Sequence, residues 1–207
     1  MSFPADLTSV LTGATMHQLA QWRRGDPPLL TPEHGNRPEV LYSFRDVVAL
    51  RTIVKLRSQV PLQRIRKAFA SLQDLDLTDH PSRYTLFTDG DSVFLVEGEE
   101  ATDLVKKPGQ RVLVTLDDVF RPFLNFRDEE VVDFIHPRPR LEVRETRLGG
   151  WPTIIGTRVP YDTVANLVAT GDVPADAVSE YFPTVDPGDV DDAVDFGKQV
   201  ADVRRPA

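Results

Sequence analysis

Residues 149–160 read GGWPTIIGTRVP, three glycines and two prolines around a pair of isoleucines. No regular helix runs through such a stretch. Glycine loses the most backbone freedom on folding, and proline supplies no N–H to a helical ladder. Residues 153–155 are long enough for one short strand, and the chain must then turn. A phosphate-binding loop is the competing reading, but it needs a lysine or a helix N-terminus aimed at the phosphate. Here no GK[ST] follows and no GxGxxG occurs. The stretch reads as a compact structural turn shaped by Gly150, Pro152, Ile155, Gly156 and Thr157. Ile154 and Ile155 are expected to anchor the strand, and Gly156 to hold a backbone conformation closed to bulkier residues.

Such punctuation recurs along the chain. Its 207 residues include 17 prolines, yet 41% are apolar, which is sufficient for cores in one domain or two. The absence of cysteine excludes disulfides, thiolate metal sites and a thiol nucleophile. The start MSFPADLTSV lacks the basic-then-apolar pattern of a secretory signal. No run approaches the ~18 apolar residues of a membrane helix. A soluble, cytoplasmic protein with no membrane partner is expected.

Net charge is −8, which argues against nucleic acid until it is divided along the chain. Residues 1–75 carry +4 and residues 76–207 carry −12. A basic third on an acidic remainder points to an anionic partner at one end only. The bland alternative is chance segregation of solvated faces.

Periodicity divides the chain at the same place. Over residues 1–75 apolar residues recur at helical spacing: Leu7, Val10 and Leu11 before Gly13, then Leu19 and Trp22 in MHQLAQWRR, with Thr15 as cap. The segment LLTPEHGNRPEVLY suits a small hairpin with Arg37 at its tip. Ser43 and Asp46 form a capping box for FRDVVALRTIVKLR, and Pro61 opens another helix. Residues 76–140 read as a β-rich connector: YTLF and SVFLV as a hairpin, RVLV as a further strand, and HPRPR (136–140) as a linker. Residues 141–207 read as three short helices, 161–170, 174–181 and one opened by Asp186-Pro-Gly-Asp189. The last buries Val190, Ala193, Val194, Gly197, Val200 and Ala201. The fold class expected is mainly α with small β elements.

Two helices joined by a glycine turn, the second ending in arginines, suit a helix-turn-helix whose second helix enters a major groove. With Leu19 and Trp22 inward, His17, Gln18, Gln21 and Arg24 are free for DNA, while Arg23, Arg37 and Arg45 suit phosphates. The pieces LTGAT, HQLAQWRR, PPLLTP, YSFRDVVALRTIVKLR and VPLQRIRKAF resemble, in order, the MerR-type winged helix-turn-helix over residues 5–73. That resemblance implies operator DNA as a partner, read by Thr15, His17, Gln18, Gln21, Arg23, Arg24, Arg37 and Arg45. Strands follow where MerR regulators have a coiled-coil helix, so a homodimer would be held by the middle and C-terminal regions. A plain packing or protein-interaction module is the other reading of this segment.

The pieces GWPTIIGTRVP, VANLVATG, AVSEYFP and DVDDAVDFG resemble a small family of trihelical domains of unknown function over residues 141–203. Phe182 is an insertion between the expected Tyr and Pro. The resemblance implies a VapB-type antitoxin, whose partner is a PIN-like ribonuclease toxin, in a homodimer or larger toxin–antitoxin assembly. Toxin-facing candidates are Arg158 and the carboxylates Asp189, Asp191, Asp192 and Asp195, with Glu180 and Asp186 on the same acidic surface. Acidic groups would steer association with a basic, RNA-binding groove. A merely solvated acidic face, or an Arg158 paired within its own domain, fits those residues as well.

An enzyme is not expected, and no catalytic residue, metal ligand or cofactor is assigned. His17, His34, His80 and His136 lie in four separate segments without HxxxH or HExxH spacing, and no GxSxG elbow occurs. The alternative to an antitoxin is a free-standing MerR-like regulator whose C-terminal domain dimerises or senses a ligand.

Overall fold

A computed structural model describes residues 2–35, 38–74, 80, 82, 85–88, 92–97, 100–103, 119–171 and 173–204. Strand β1 (Phe3–Pro4) runs into α1 (Ala5–Thr12), and after Gly13 comes α2 (Met16–Arg24). Thr15 and Gln18 close a reciprocal capping box: Gln18 N donates to Thr15 Oγ1 at 3.1 Å and Thr15 N donates to Gln18 Oε1 at 2.9 Å. Leu19 and Trp22 point into the core. The start of α3 (Phe44–Arg57) repeats the device, with Ser43 and Asp46 as its box. Helix α3 is buried on nearly all sides, which places it at the centre of the N-terminal half. Helix α4 (Leu62–Asp74) packs Ile65 and Ala68 beside it.

Among the described residues, the hairpin expected within residues 29–42 forms no strand pairing of its own. Strand β2 (Leu41–Tyr42) pairs antiparallel with β1 instead, Phe3 opposite Tyr42. Leu29 and Leu30 are both buried, and Leu29 N donates to Trp22 O, so that end of the segment is consumed by the core. Arg37 lies outside the described residues.

In the middle region β3 (Thr85–Thr88), β4 (Val93–Glu97) and β5 (Glu100–Asp103) form an antiparallel meander. Leu86, Val93 and Leu95 reach the shared core. The strand expected at RVLV, 111–114, lies outside the described residues. A second hairpin, β6 (Phe123–Leu124) with β7 (Glu130–Val131), lies against the turn between α1 and α2, where Asn125 Nδ2 donates to Gly13 O at 3.3 Å.

Arg51, in the middle of α3, is 0% exposed. Its guanidinium donates to the carbonyls of Leu11, Val119, Phe120, Arg121 and Val132. It also lies over the rings of Phe123 and Phe134, 5.1 and 5.6 Å from their centroids. Burial pulls its pKa down to about 9, partly countered by Asp133, so it remains a cation at neutral pH.

The C-terminal region begins with β8 (Leu141–Glu142), paired antiparallel with β9 (Thr153–Ile154). Helix α5 (Tyr161–Ala169) ends before Gly171 as expected. The helix expected over 174–181 is shorter: a 3-10 turn, Ala175–Ala177, leads into α6 (Val178–Tyr181). Phe182 turns toward the core, leaving Tyr181 61% exposed. Helix α7 (Pro187–Arg204) buries Val190, Ala193, Phe196 and Val200. Phe196 thus belongs to the stripe, where its ring meets Tyr161 edge-on at 4.8 Å, while Ala201, expected inside, is exposed.

Helix α1 packs against α3 on one side and α7 on the other. Phe3 and Trp151 bring their rings to 6.0 Å, and Arg204 pairs with the buried Asp6. Residues 136–140, expected as a linker, are clamped instead. Pro137 is buried, Arg138 Nε donates to Asp195 Oδ2 at 2.7 Å, and Arg140 N donates to Asp192 Oδ2 at 2.7 Å. The described residues make seven α-helices with small antiparallel strand pairings: mainly α with small β elements. None of these helices is long and apolar enough to cross a membrane.

Candidate functional site

On α2 the residues His17, Gln21 and Arg24 are spaced four and three apart, which aligns them on one face. All three are exposed, opposite the buried Leu19 and Trp22. Arg23 is half-buried beside Tyr42. Burial pushes that phenol up, and the Arg23 charge works against the rise.

Two other expected DNA-facing residues have local duties. Gln18 is the capping partner of Thr15, and its Oε1 also accepts from Arg127 Nη1 at 3.3 Å. An amide whose oxygen is already shared between two donors is not free for the two-point contact with adenine. Arg45 is exposed but bound to Glu33 through Nε at 3.3 Å and Nη2 at 2.5 Å. It reaches a phosphate only by leaving that carboxylate.

Around the start of α3 the fold gathers Glu33, Asp46, His80 and Ser82. Nε2 of His80 lies 3.1 Å from Asp46 Oδ1, and its Nδ1 lies 2.9 Å from Ser82 Oγ. Burial alone would raise the Asp46 carboxyl. The His80 ring and the N–H groups of Ser43 and Glu33 outweigh it and hold the carboxyl below its usual range. Glu33, Asp46 and His80 bring possible metal-ligand atoms within 4.8 Å of one another. Glu33 is engaged by the Ser43 hydroxyl and Arg45, so this constellation acts as an extended helix cap that ties residue 80 to α3. The Ser–His–Asp chain has the same local character, since Ser82 also donates its backbone N–H to His80 Nδ1 at 3.3 Å.

The glycine-rich stretch is organised by a residue outside it. Glu142 is 1% exposed and accepts the Gly156 N–H at 2.8 Å, while Arg144 and Arg147 flank its carboxylate. Burial would raise this carboxyl too, but Gly156 N–H, Arg147 and Arg144 together hold it below the usual range. Thr157 Oγ1 donates to Ile154 O and accepts from Val159 N, each at 3.0 Å, and Tyr161 N donates to Pro152 O. Pro152 and Ile154 are buried. Ile155 is not the anchor expected: it is 43% exposed, because β9 ends at Ile154 and the turn carries the next side chain outward. The two glycines also differ. Gly156 has φ 73° with open space around it, whereas a Cβ on Gly150 (φ 87°) would meet the Phe44 ring at 2.3 Å.

The acidic face of α7 is largely neutralised from within. Asp189 is buried, takes the N–H of Asp186 at 2.8 Å as an N-terminal cap, and pairs with Arg140 at 3.4 Å. Asp192 and Asp195 are held by the Arg140 N–H and by Arg138. Of the expected toxin-facing residues, Arg158 and Asp191 are exposed and make no ion pair among the described residues. Arg138 and Arg140 escaped sequence reading because a proline-broken basic stretch looks like a solvated linker.

Neither the curated proteins nor the solved structures contain a match to the chain. Residues 142–196, from Glu142 through Phe196, match a family described as Protein of unknown function (DUF433).

Proposed function

We propose that the chain is a DNA-binding antitoxin. Residues 1–75 read operator DNA through α2, and residues 141–207 bind and inhibit a PIN-like ribonuclease toxin, so that the pair represses its own operon. One observation carries the DNA half: the outward face of α2 presents His17, Gln21 and Arg24 together, in a segment whose net charge is positive while the chain's is negative. Gln21 suits an adenine edge, and Arg24 a guanine or a phosphate. One reading helix buries little surface, so paired half-sites and a dimer supply affinity.

The toxin half rests on the motif resemblance over 141–203, with the family match over 142–196 lying inside the same region. With Asp189, Asp192 and Asp195 engaged internally, the favoured contact surface moves to the turn that exposes Ile155 and Arg158. An exposed aliphatic anchor beside an unpaired arginine is the composition of an interface centre. Arg158 suits the acidic metal-binding pocket of a ribonuclease. Gel shifts with the DNA upstream of the gene, and co-purification with the neighbouring ribonuclease, test the two halves separately.

A further inference from the structure

Helix α1 meets the C-terminal helices along a seam that is not closed. A cavity of roughly 530 Å³ lies there between α1, α5 and α7. Small-molecule sites run about 300–1,000 Å³ and favour such junctions between structural units. Leu7, Ala165 and Val194 make the wall apolar. Trp151 and Tyr161, stacked with centroids 6.4 Å apart, add an aromatic side.

The polar groups on this cavity are mostly donors. Tyr161 is 4% exposed, and its hydroxyl has no hydrogen-bond partner among the described residues. Burial, with Asp162 and Asp6 nearby, pushes this phenol well above its usual range, so it stays a protonated donor. Arg204 gives Nε to Asp6, and its two terminal nitrogens bond to nothing among the described residues. Lys198 lines the same cavity and has no ion pair among them. The carboxylates are engaged: Asp6 takes Leu7 N and Arg204, and Asp162 takes the Trp151 indole N–H at 3.0 Å.

We infer that this cavity is a binding site for a small organic acid, a monocarboxylate with an aromatic or branched aliphatic body. The body lies against Trp151 and the apolar wall, and the carboxylate takes the Tyr161 hydroxyl, Arg204 and Lys198. The site goes beyond the antitoxin reading and does not depend on it. Because α1 packs against both α2 and α7, a ligand here touches the element that supports the reading helix.

Isothermal titration of the full chain with 3-phenylpropionate, 3-phenylpropanol and 2-phenylethylamine tests the assignment. The carboxylate binds saturably, and the alcohol and amine bind at least about tenfold more weakly, since only the carboxylate offers charged acceptors. Tyr161→Phe keeps the ring, removes the hydroxyl and weakens the carboxylate about tenfold. Lys198→Gln, on the surface, weakens it several-fold. Ala201→Phe fills the cavity from an exposed position and abolishes binding while the melting temperature is kept. No saturable binding, equal affinity for the alcohol or the amine, or binding unchanged by Ala201→Phe overturns the assignment.

Discussion

The Gly156 N–H donates to Oε1 of Glu142 at 2.8 Å, so a buried carboxylate eleven residues before β9 holds the tip of the turn that follows it. The glycine-rich stretch therefore owes its shape to a partner as much as to its own glycines. Glu142→Ala leaves that N–H without its acceptor and strands Arg147, which is only partly exposed. A loss of about 2–3 kcal/mol is expected in urea unfolding, with faster amide exchange at residues 154–157. A loss below about 0.5 kcal/mol would mean that the glycines alone set the turn.

Acid sensitivity follows from the same residue and from Asp46. Both carboxyls sit below their ordinary values of 4.5 and 3.8 in the folded chain. Their contribution is therefore complete above those values and is lost as pH falls through the lower folded ones. Thermal melts from pH 7 to pH 3 are expected to hold level and then fall below about pH 4.5. Glu142→Gln removes part of that slope; an unchanged slope in this variant contradicts the assignment.

Arg51→Met is expected to destabilise the chain by about 3–5 kcal/mol, because five buried or partly buried carbonyls lose their common donor. Arg51→Lys recovers only part, since an ammonium cannot span the same fork. Denaturant unfolding followed by tryptophan emission measures both. A Met variant as stable as the parent would show that packing replaces the network.

Much of the local structure could be read directly. Thr15 with Gln18, and Ser43 with Asp46, signal helix starts because both members of each pair lie within one turn of chain. Leu19 and Trp22 declare an inward face by spacing alone. Arg51 could not be read this way. In sequence it is one more basic residue on a helix, and all but one of its partners lie 68–81 residues away. His80 is hidden similarly, its Asp46 contact being 34 residues distant. Arg138 and Arg140 looked like linker charges because the carboxylates that hold them come about 50–60 residues later. Ile155 lies one residue past the end of β9, where the chain turns and carries its side chain into solvent, an ending that the apolar pair itself does not signal.

The two glutamines of α2 are expected to part ways. Gln21→Ala relaxes sequence preference on operator duplexes, at ~1–3 kcal/mol for a lost two-point base contact, with no change in melting temperature. Gln18→Ala instead costs about 0.5–2 kcal/mol of stability through the cap. Arg24→Ala weakens all duplexes alike and lowers the salt slope by about one unit if it contacts a phosphate. Fluorescence anisotropy on specific and scrambled duplexes separates these outcomes, and equal behaviour of Gln18 and Gln21 would remove α2 from the reading role.

On the C-terminal face, Arg158→Ala is expected to weaken toxin binding at least about tenfold, at the level of a lost charged contact, without altering stability. Asp195→Lys breaks the pair with Arg138 and places a cation beside it, so it lowers stability modestly. Calorimetry of each variant with the toxin, paired with its thermal melt, checks both. Full affinity in Arg158→Ala would move the contact surface away from the glycine-rich turn.

The most direct measurement is RNA cleavage by any PIN-like ribonuclease that a neighbouring gene encodes, titrated with the purified chain. Cleavage is expected to fall to background near stoichiometric addition, the two proteins to elute as one complex, and Arg158→Ala to shift the titration to higher concentration. Cleavage that proceeds undiminished in excess of the chain, or a gene neighbourhood with no such ribonuclease, would contradict the antitoxin reading.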